Sequence, residues 1–184
     1  MSLDQIAIRT AEPADAPAIT LVHDEAWRGA YRGIIPGLAL ERLVEKRGPD
    51  WWSRQISRRR NILVLEHHGR LVGYVTFGIN RSRSLRVLGE IYELYIRPTH
   101  QGLGFGSKLF DAARDCLEAA RLGHFVVWAL EENERAVDFY HSMGGEPVAR
   151  GIEHFTDRDC CKIAFTWGGV TPLRDDTDRR SASS

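Results

Sequence analysis

The segment Glu90-Ile91-Tyr92-Glu93-Leu94-Tyr95-Ile96-Arg97-Pro98-Thr99-His100-Gln101-Gly102-Leu103-Gly104-Phe105-Gly106-Ser107-Lys108-Leu109-Phe110 constrains this chain more than any other. A half-apolar strand runs into Pro98, which cannot donate to a β-ladder, and a glycine-rich turn then opens an amphipathic helix. Gly102, Gly104 and Gly106 leave the backbone uncovered. Their N–H groups, with those of Leu103, Phe105 and Ser107, can therefore close around an anion with the positive end of a helix dipole behind it. The turn is a candidate phosphate cradle. It is neither the Gly-x-Gly-x-x-Gly dinucleotide fingerprint nor a P-loop, because no Gly-Lys-Ser/Thr ends it.

Around this segment the apolar periodicity alternates between the helical and the strand period. Ile6 to Arg9 reads as a strand and Pro13 to about Trp27 as a helix. Gly29, Gly33, Pro36 and Gly37 separate that helix from one carrying Leu38, Leu40, Leu43 and Val44, and Trp51 to Arg59 can form a third helical piece. Asn61 to Glu66 and Arg70 to Gly78 read as a hairpin turning at His67-His68-Gly69. After the signature segment, Phe125 to Leu130 is a strand, Asn133 opens a helix ending near Gly144, and Glu146 to Arg150 and Cys160 to Thr166 are two closing strands.

Two stretches carry a family resemblance. Leu94, Ile96, Pro98, Gln101, Gly104 and Gly106 occupy the positions of Leu-x-Val-x-Pro followed by Gln/Arg-x-x-Gly-x-Gly/Ala. Asn133-Glu134-Arg135-Ala136-Val137-Asp138-Phe139-Tyr140-His141-Ser142-Met143-Gly144 matches Asn-x-x-Ala-x-x-Phe-Tyr-x-x-x-Gly. Both, in this order, resemble the GNAT superfamily of N-acetyltransferases, and the resemblance covers most of residues 6 to 167. It implies an α/β (α+β) GNAT fold with element order β-α-α-β-β-β-α-β-α-β-β. The sheet would be mixed but mostly antiparallel, flanked by helices and splayed between its fourth and fifth strands. It also implies acetyl-CoA as acyl donor, no metal, and direct transfer to an amine.

The resemblance assigns roles residue by residue. The backbone of Leu94, Tyr95 and Ile96 would pair with the pantetheine arm, and the Ile96 N–H would polarise the thioester carbonyl. Gln101, Gly102, Leu103, Gly104, Phe105, Gly106 and Ser107 would hold the pyrophosphate. Asn133 and Ala136 would face pantetheine. Tyr140, about two helical turns beyond Asn133, would give a proton to the leaving thiolate. Glu90 is the expected base, at the offset of the glutamate in histone-acetylating members. Glu93 competes, because a bulge in this strand would reverse the facing on one side of it. Trp27 and Tyr31 would wall the acceptor site. Simple core packing is the structural alternative for these two and for Tyr140.

Composition narrows the remaining classes. The 184 residues carry 25 basic and 25 acidic side chains, so bulk charge gives no attraction to nucleic acid. No apolar run reaches membrane-spanning length and no basic-then-apolar signal opens the chain, so a cytoplasmic protein without a membrane partner is expected. Cys116, Cys160 and Cys161 read as reduced thiols, the adjacent pair pointing to opposite faces of a strand. His67 and His68 lack ligand partners at metal spacing, and Arg58-Arg59-Arg60 and Arg81, Arg83, Arg86 read as solvated faces, or one set as contacts for an acidic acceptor or the adenosine 3′-phosphate. One domain, 1–168, followed by a polar tail, 169–184, is expected. A homodimer pairing through the strand Cys160 to Thr166 is also expected. A small-molecule amine is the expected acceptor. Acetylation of protein amino termini or lysines, and a non-catalytic acyl-CoA sensor, are the alternatives.

Overall fold

The computed structural model describes residues 5–58, 61–155 and 158–168, and the expected tail lies outside them. In chain order the elements are β1 (Ile6–Thr10), α1 (Ala16–Tyr31), α2 (Gly37–Glu45), α3 (Pro49–Arg58), β2 (Ile62–His67), β3 (Arg70–Ile79) and β4 (Gly89–Ile96). They continue with α4 (Phe105–Ala119), β5 (Phe125–Leu130), α5 (Glu134–Ser142), β6 (Glu146–Phe155) and β7 (Arg158–Trp167). The third helical piece is thus a full helix, and it adds one α to the expected order. Gly29 does not break α1. It lies in close approach to Pro98, whose Cγ would be 3.3 Å from an added Cβ, and the chain turns instead at Gly33, where φ is +87°.

A seven-stranded sheet in the order β1-β2-β3-β4-β5-β7-β6 organises the molecule. Every neighbouring pair is antiparallel except β4 and β5. The β2–β3 hairpin turns on His68 and Gly69, both at positive φ, as a two-residue turn matched to strand twist requires. The strand expected to pair two copies of the chain is β7, but β5 and β6 take both of its edges, so the free edges of this sheet are β1 and β6.

Helices cover both faces, which explains why Ile62-Leu63-Val64-Leu65 is apolar at every position rather than at alternate ones. Leu63 and Leu65 join Val75, Phe77, Leu109 and Phe110 beneath α4. Ile62 and Val64 join Ile19, Val22 and Trp52 beneath α1 and α3. Cys160 is buried and Cys161 exposed, as strand alternation requires. Among the described residues, no helix is long and apolar enough to cross a membrane.

Phe110 is fully buried and contacts the rings of Phe125, Phe139, Tyr140 and Trp167, tying α4 to β5, α5 and β7. Phe110→Ala should lower unfolding stability by about 3–5 kcal/mol, the cost of a large aromatic cavity, as measured by chemical denaturation.

Candidate active site

The site begins where the sheet parts. Strand β4 pairs with β5 only over Gly89, Ile91 and the residue between them, opposite Phe125 to Val127; beyond that, β5 continues along β7 while β4 departs. A bulge sits at the same point. Glu93 opposes Thr76 and Ile91 opposes Phe77 on β3, leaving Tyr92 as the extra residue. Past the bulge, the Arg97 N–H donates to the Val72 carbonyl on β3 at 2.8 Å. Backbone alternation therefore turns the Ile96 and Leu94 N–H groups away from β3, into the cleft.

A cavity of about 310 Å³ fills this cleft. Tyr92, Glu93, Leu94, Tyr95 and Ile96 form one wall, and Asn133, Ala136 and Tyr140 of the α5 segment form another. Gln101, Gly102, Gly104, Gly106 and Ser107 close one end, with Arg135 beside them. Gly102 and Gly104 have φ near +80°, and an added Cβ at either would project into open space. The turn therefore needs glycine for its conformation and leaves room for a ligand, with the first turn of α4 presenting free N–H groups. Gln101 Nε2 donates to the Ile96 carbonyl at 3.0 Å, and Gln101 Oε1 accepts from Arg135, so the turn is pinned to both β4 and α5. Asn133 caps α5: its Oδ1 accepts from the Ala136 N–H at 3.3 Å, which leaves its amide NH₂ for the cavity.

Not every expected residue lines this space. Leu103 is exposed and Phe105 points into the core beside His67, so neither side chain faces the cavity. Trp27 backs the wall rather than forming it, packing edge-on against Tyr31, which does line the cavity. Glu90 is not among the residues that line this cavity. Its carboxylate accepts from the Arg81 backbone N–H at 2.8 Å and from the Arg81 guanidinium at 2.9 Å, and it is 5% exposed. Glu90, the expected base, lies opposite Val126 where β4 is still joined to β5, and its carboxylate is turned to Arg81 before the cleft opens. It is Glu93 that the bulge brings to the cavity wall.

Glu93 sits within a largely buried polar chain. Arg47 donates to its Oε1, while the Tyr74 hydroxyl donates to its Oε2 at 3.2 Å. His23 Nδ1 lies 2.8 Å from the same hydroxyl. Because Tyr74 has given its only hydrogen to Glu93, His23 must be the donor, so the ring is the neutral tautomer protonated at Nδ1. Burial, with the Arg47 cation adding to it, holds His23 down to about 3. Arg47 is itself stacked between Trp27 and Trp51, its Cζ 5.3 and 5.0 Å from their ring centroids. Nearby, the Tyr31 and Tyr95 hydroxyls share a 2.7 Å hydrogen bond, and burial pushes Tyr31 up to about 12. Burial also raises Tyr140, so its hydroxyl keeps its proton at neutral pH.

A glycine turn over a helix N-terminus, a strand edge open to an extended ligand, and a tyrosine and a carboxylate on the walls of one cavity also occur together in known proteins of one family. The model described as the acetyltransferase (GNAT) family matches residues 24–144. The chain belongs to that family. GNAT relatives include the uncharacterised N-acetyltransferase YuaI of Bacillus subtilis, 29% identical over 92% of this chain and 96% of its own. Another is the L-methionine sulfoximine/L-methionine sulfone acetyltransferase of Salmonella typhimurium, 32% identical over 76% of this chain and 79% of its own. A third is the L-amino acid N-acyltransferase MnaT of Escherichia coli, 33% identical over 76% and 78%. The fold matches that of the PaiA N-acetyltransferase from Thermoplasma acidophilum solved with coenzyme A. That match has a TM-score of 0.73 at 19% identity, covering 89% of this chain and 99% of the other. As a GNAT protein, this chain is an acyltransferase enzyme.

Sequence reasoning missed His23, Arg47, Tyr74, Trp128 and Arg135. Arg135 sits inside the matched Asn133 motif, and its charge beside a glycine turn was a usable signal. His23, Arg47 and Tyr74 lie on three separate elements, and no spacing links them.

Two predictions follow from this geometry. Gly104→Val forces a β-branched residue into φ +78° and into the cradle, so acetyl-CoA affinity measured by calorimetry should be lost in a variant shown to be folded. Retained affinity would place the phosphate site elsewhere. The second concerns His23, whose folded pKa of about 3 lies below its unfolded value of 6.5. Between these values the unfolded chain holds a proton that the folded chain does not, so stability falls as pH drops through that window. From about pH 7.5 to about pH 5 this one group should remove about 2 kcal/mol, and His23→Gln should flatten that part of the profile in denaturation experiments.

Proposed function

We propose that this GNAT enzyme moves the acetyl group of acetyl-CoA directly onto the primary amine of a small molecule, with Glu93 receiving the amine's proton and Tyr140 supplying one to the sulfur. The observation that carries this reading is that Glu93, Tyr140 and the glycine turn line a single cavity. The acyltransferases for L-amino acids and for L-methionine sulfoximine and sulfone among its relatives support a small acceptor.

The residues present fit acetyl-CoA. Gly102, Gly104, Gly106, Ser107 and the first turn of α4 suit a pyrophosphate, and the open edge of β4 suits the amides of an extended arm. The Asn133 amide is placed to bond that arm. When bound, acetyl-CoA supplies an activated thioester. Ile96 aims its N–H into the cleft, where it can polarise the thioester carbonyl. Glu93 accepts a proton from the incoming ammonium, freeing the nitrogen lone pair to form the new C–N bond. Tyr140 donates its proton as the C–S bond breaks, and the tyrosinate left behind takes the second proton from the attacking nitrogen, so that a neutral acetamide and a free thiol leave and Glu93 returns its proton to solvent. Tyr31 and Tyr95 confine the reacting atoms.

Thiol release from acetyl-CoA across a panel of amines, with acetyl-CoA binding measured in parallel, tests the reading. Turnover with free small amines supports it, turnover confined to peptides would favour protein acetylation, and binding without turnover would favour a sensor. Glu93→Gln should lower the rate at neutral pH by about ten- to a thousandfold and recover toward alkaline pH, where free amine exists without a base. Glu90→Gln should keep its turnover, because Glu90 is committed to Arg81. Tyr140→Phe should slow turnover by about ten- to a thousandfold with no recovery at high pH. Wild-type turnover in the Glu93 variant would remove it from the base role.

A further inference from the structure

Glu93 and Tyr92 line a second cavity as well, of about 220 Å³, formed with α3, β2 and β3 and sharing only these two residues with the first. A wall whose residues, Glu93 among them, border both cavities is what an acyl transfer between two separately bound partners requires. We propose that this second cavity is the acceptor pocket, and that it takes a free amino acid with its amine at Glu93 and its carboxylate at Arg81. The proposal rests on the acetyl-transfer reading above and adds the place and class of the acceptor.

Size is the first argument. The volume falls below the roughly 300–1,000 Å³ of pockets for drug-sized ligands, which suits a single small metabolite rather than a polypeptide segment. Charge is the second. Arg47, Arg81 and Glu93 are the ionised groups of the lining among the described residues, one more cation than anion. Arg47 is committed to Glu93 on one side and stacked on Trp27 and Trp51 on the other. Arg81 is different. Its Nε and Nη2 face Glu90, but the side chain is 59% exposed and its Cζ lies 3.8 Å over the Tyr92 ring, on the wall next to Glu93.

A cationic diamine entering here would meet Arg81 unfavourably. An amino acid would match both signs at once: Glu90 takes the Nε–Nη2 edge of Arg81, and the remaining guanidinium N–H groups can hold a second carboxylate. Asn61 and Gln55 add neutral polar groups, while Trp51, Trp52 and Phe77 give an apolar surface for the acceptor's own side chain.

The test compares L-methionine with L-methioninamide as acceptors of acetyl-CoA. The amide keeps the amine but not the carboxylate, and its amine is the less basic of the two, so any preference for the acid runs against intrinsic reactivity. The expected kcat/KM favours the free acid by about ten- to a hundredfold, the usual worth of a charged hydrogen bond. Arg81→Gln should raise KM for the acid by a similar factor while leaving KM for acetyl-CoA unchanged. Because Arg81 also braces Glu90, Asn61→Asp provides a second route. It places a negative charge in the cavity without touching that pair, and should penalise the acid but not the amide. Quenching of tryptophan fluorescence by L-methionine separates this proposal from the reading it rests on. Arg81-dependent quenching without turnover would support the pocket and sink the catalytic reading. Equal kcat/KM for acid and amide, or quenching indifferent to Arg81→Gln and Asn61→Asp, would overturn the pocket.

Discussion

The site depends on β4 leaving β5 after Ile91. In a continuous sheet the outward N–H groups of Leu94 and Ile96 would be spent on Trp128 to Leu130, but β4 has left the edge of β5 before it reaches them. Buried backbone donors need partners, so the parting creates a standing demand for hydrogen bonds along one face of a cleft. An extended ligand with its own amides meets that demand as an added strand does. The bulge at Tyr92 lies at the point of departure, so the same irregularity that opens the cleft rotates Glu93 onto its wall.

What holds Glu93 there is the chain Arg47–Glu93–Tyr74–His23, drawn from the segment between α2 and α3, from β4, from β3 and from α1. Its contribution to stability is modest, because desolvating an ion pair offsets most of the attraction. Its value is geometric. Each carboxylate oxygen has one donor, which fixes the plane of the group, and the donors are fixed in turn by aromatic stacking on Arg47 and by burial of Tyr74 and His23. Orientation of the site is thereby tied to the packing of α1 and α3 on the sheet. The neutral His23 is part of this: a charged ring would bury a second cation beside Arg47.

Features set by local chemistry were legible in the sequence. The strand, proline and glycine turn of 90–110, the Phe125–Leu130 strand and the hairpin at His68 and Gly69 each follow from short-range rules, and each is found where those rules place it. Between Glu90 and Glu93 the sequence could not decide, because whether a strand bulges is set by its neighbours, here the register against Thr76 and Phe77, which puts Glu93 on the same side of β4 as Glu90 but on the cavity wall. The role of β7 was hidden for the same kind of reason: its residues mark a strand, but only the topology shows that both its edges are occupied. Arg47 reads in sequence as an ordinary surface charge after a helix, and only the meeting of Trp27, Trp51 and Glu93 around it shows otherwise.

The choice of Tyr140 over the other tyrosines of the site also comes from partners rather than from position. Tyr31 and Tyr95 bond each other, and Tyr74 has given its hydrogen to Glu93. Tyr92 donates to the Ile79 carbonyl at 2.6 Å. Tyr140 lines the cavity with no protein hydrogen-bond partner for its hydroxyl among the described residues, and burial keeps it protonated. A general acid must hold its proton until charge develops on the leaving atom and must have nowhere better to place it beforehand. Of these five hydroxyls, that of Tyr140 meets both conditions. The four others are fastened into the walls around Glu93.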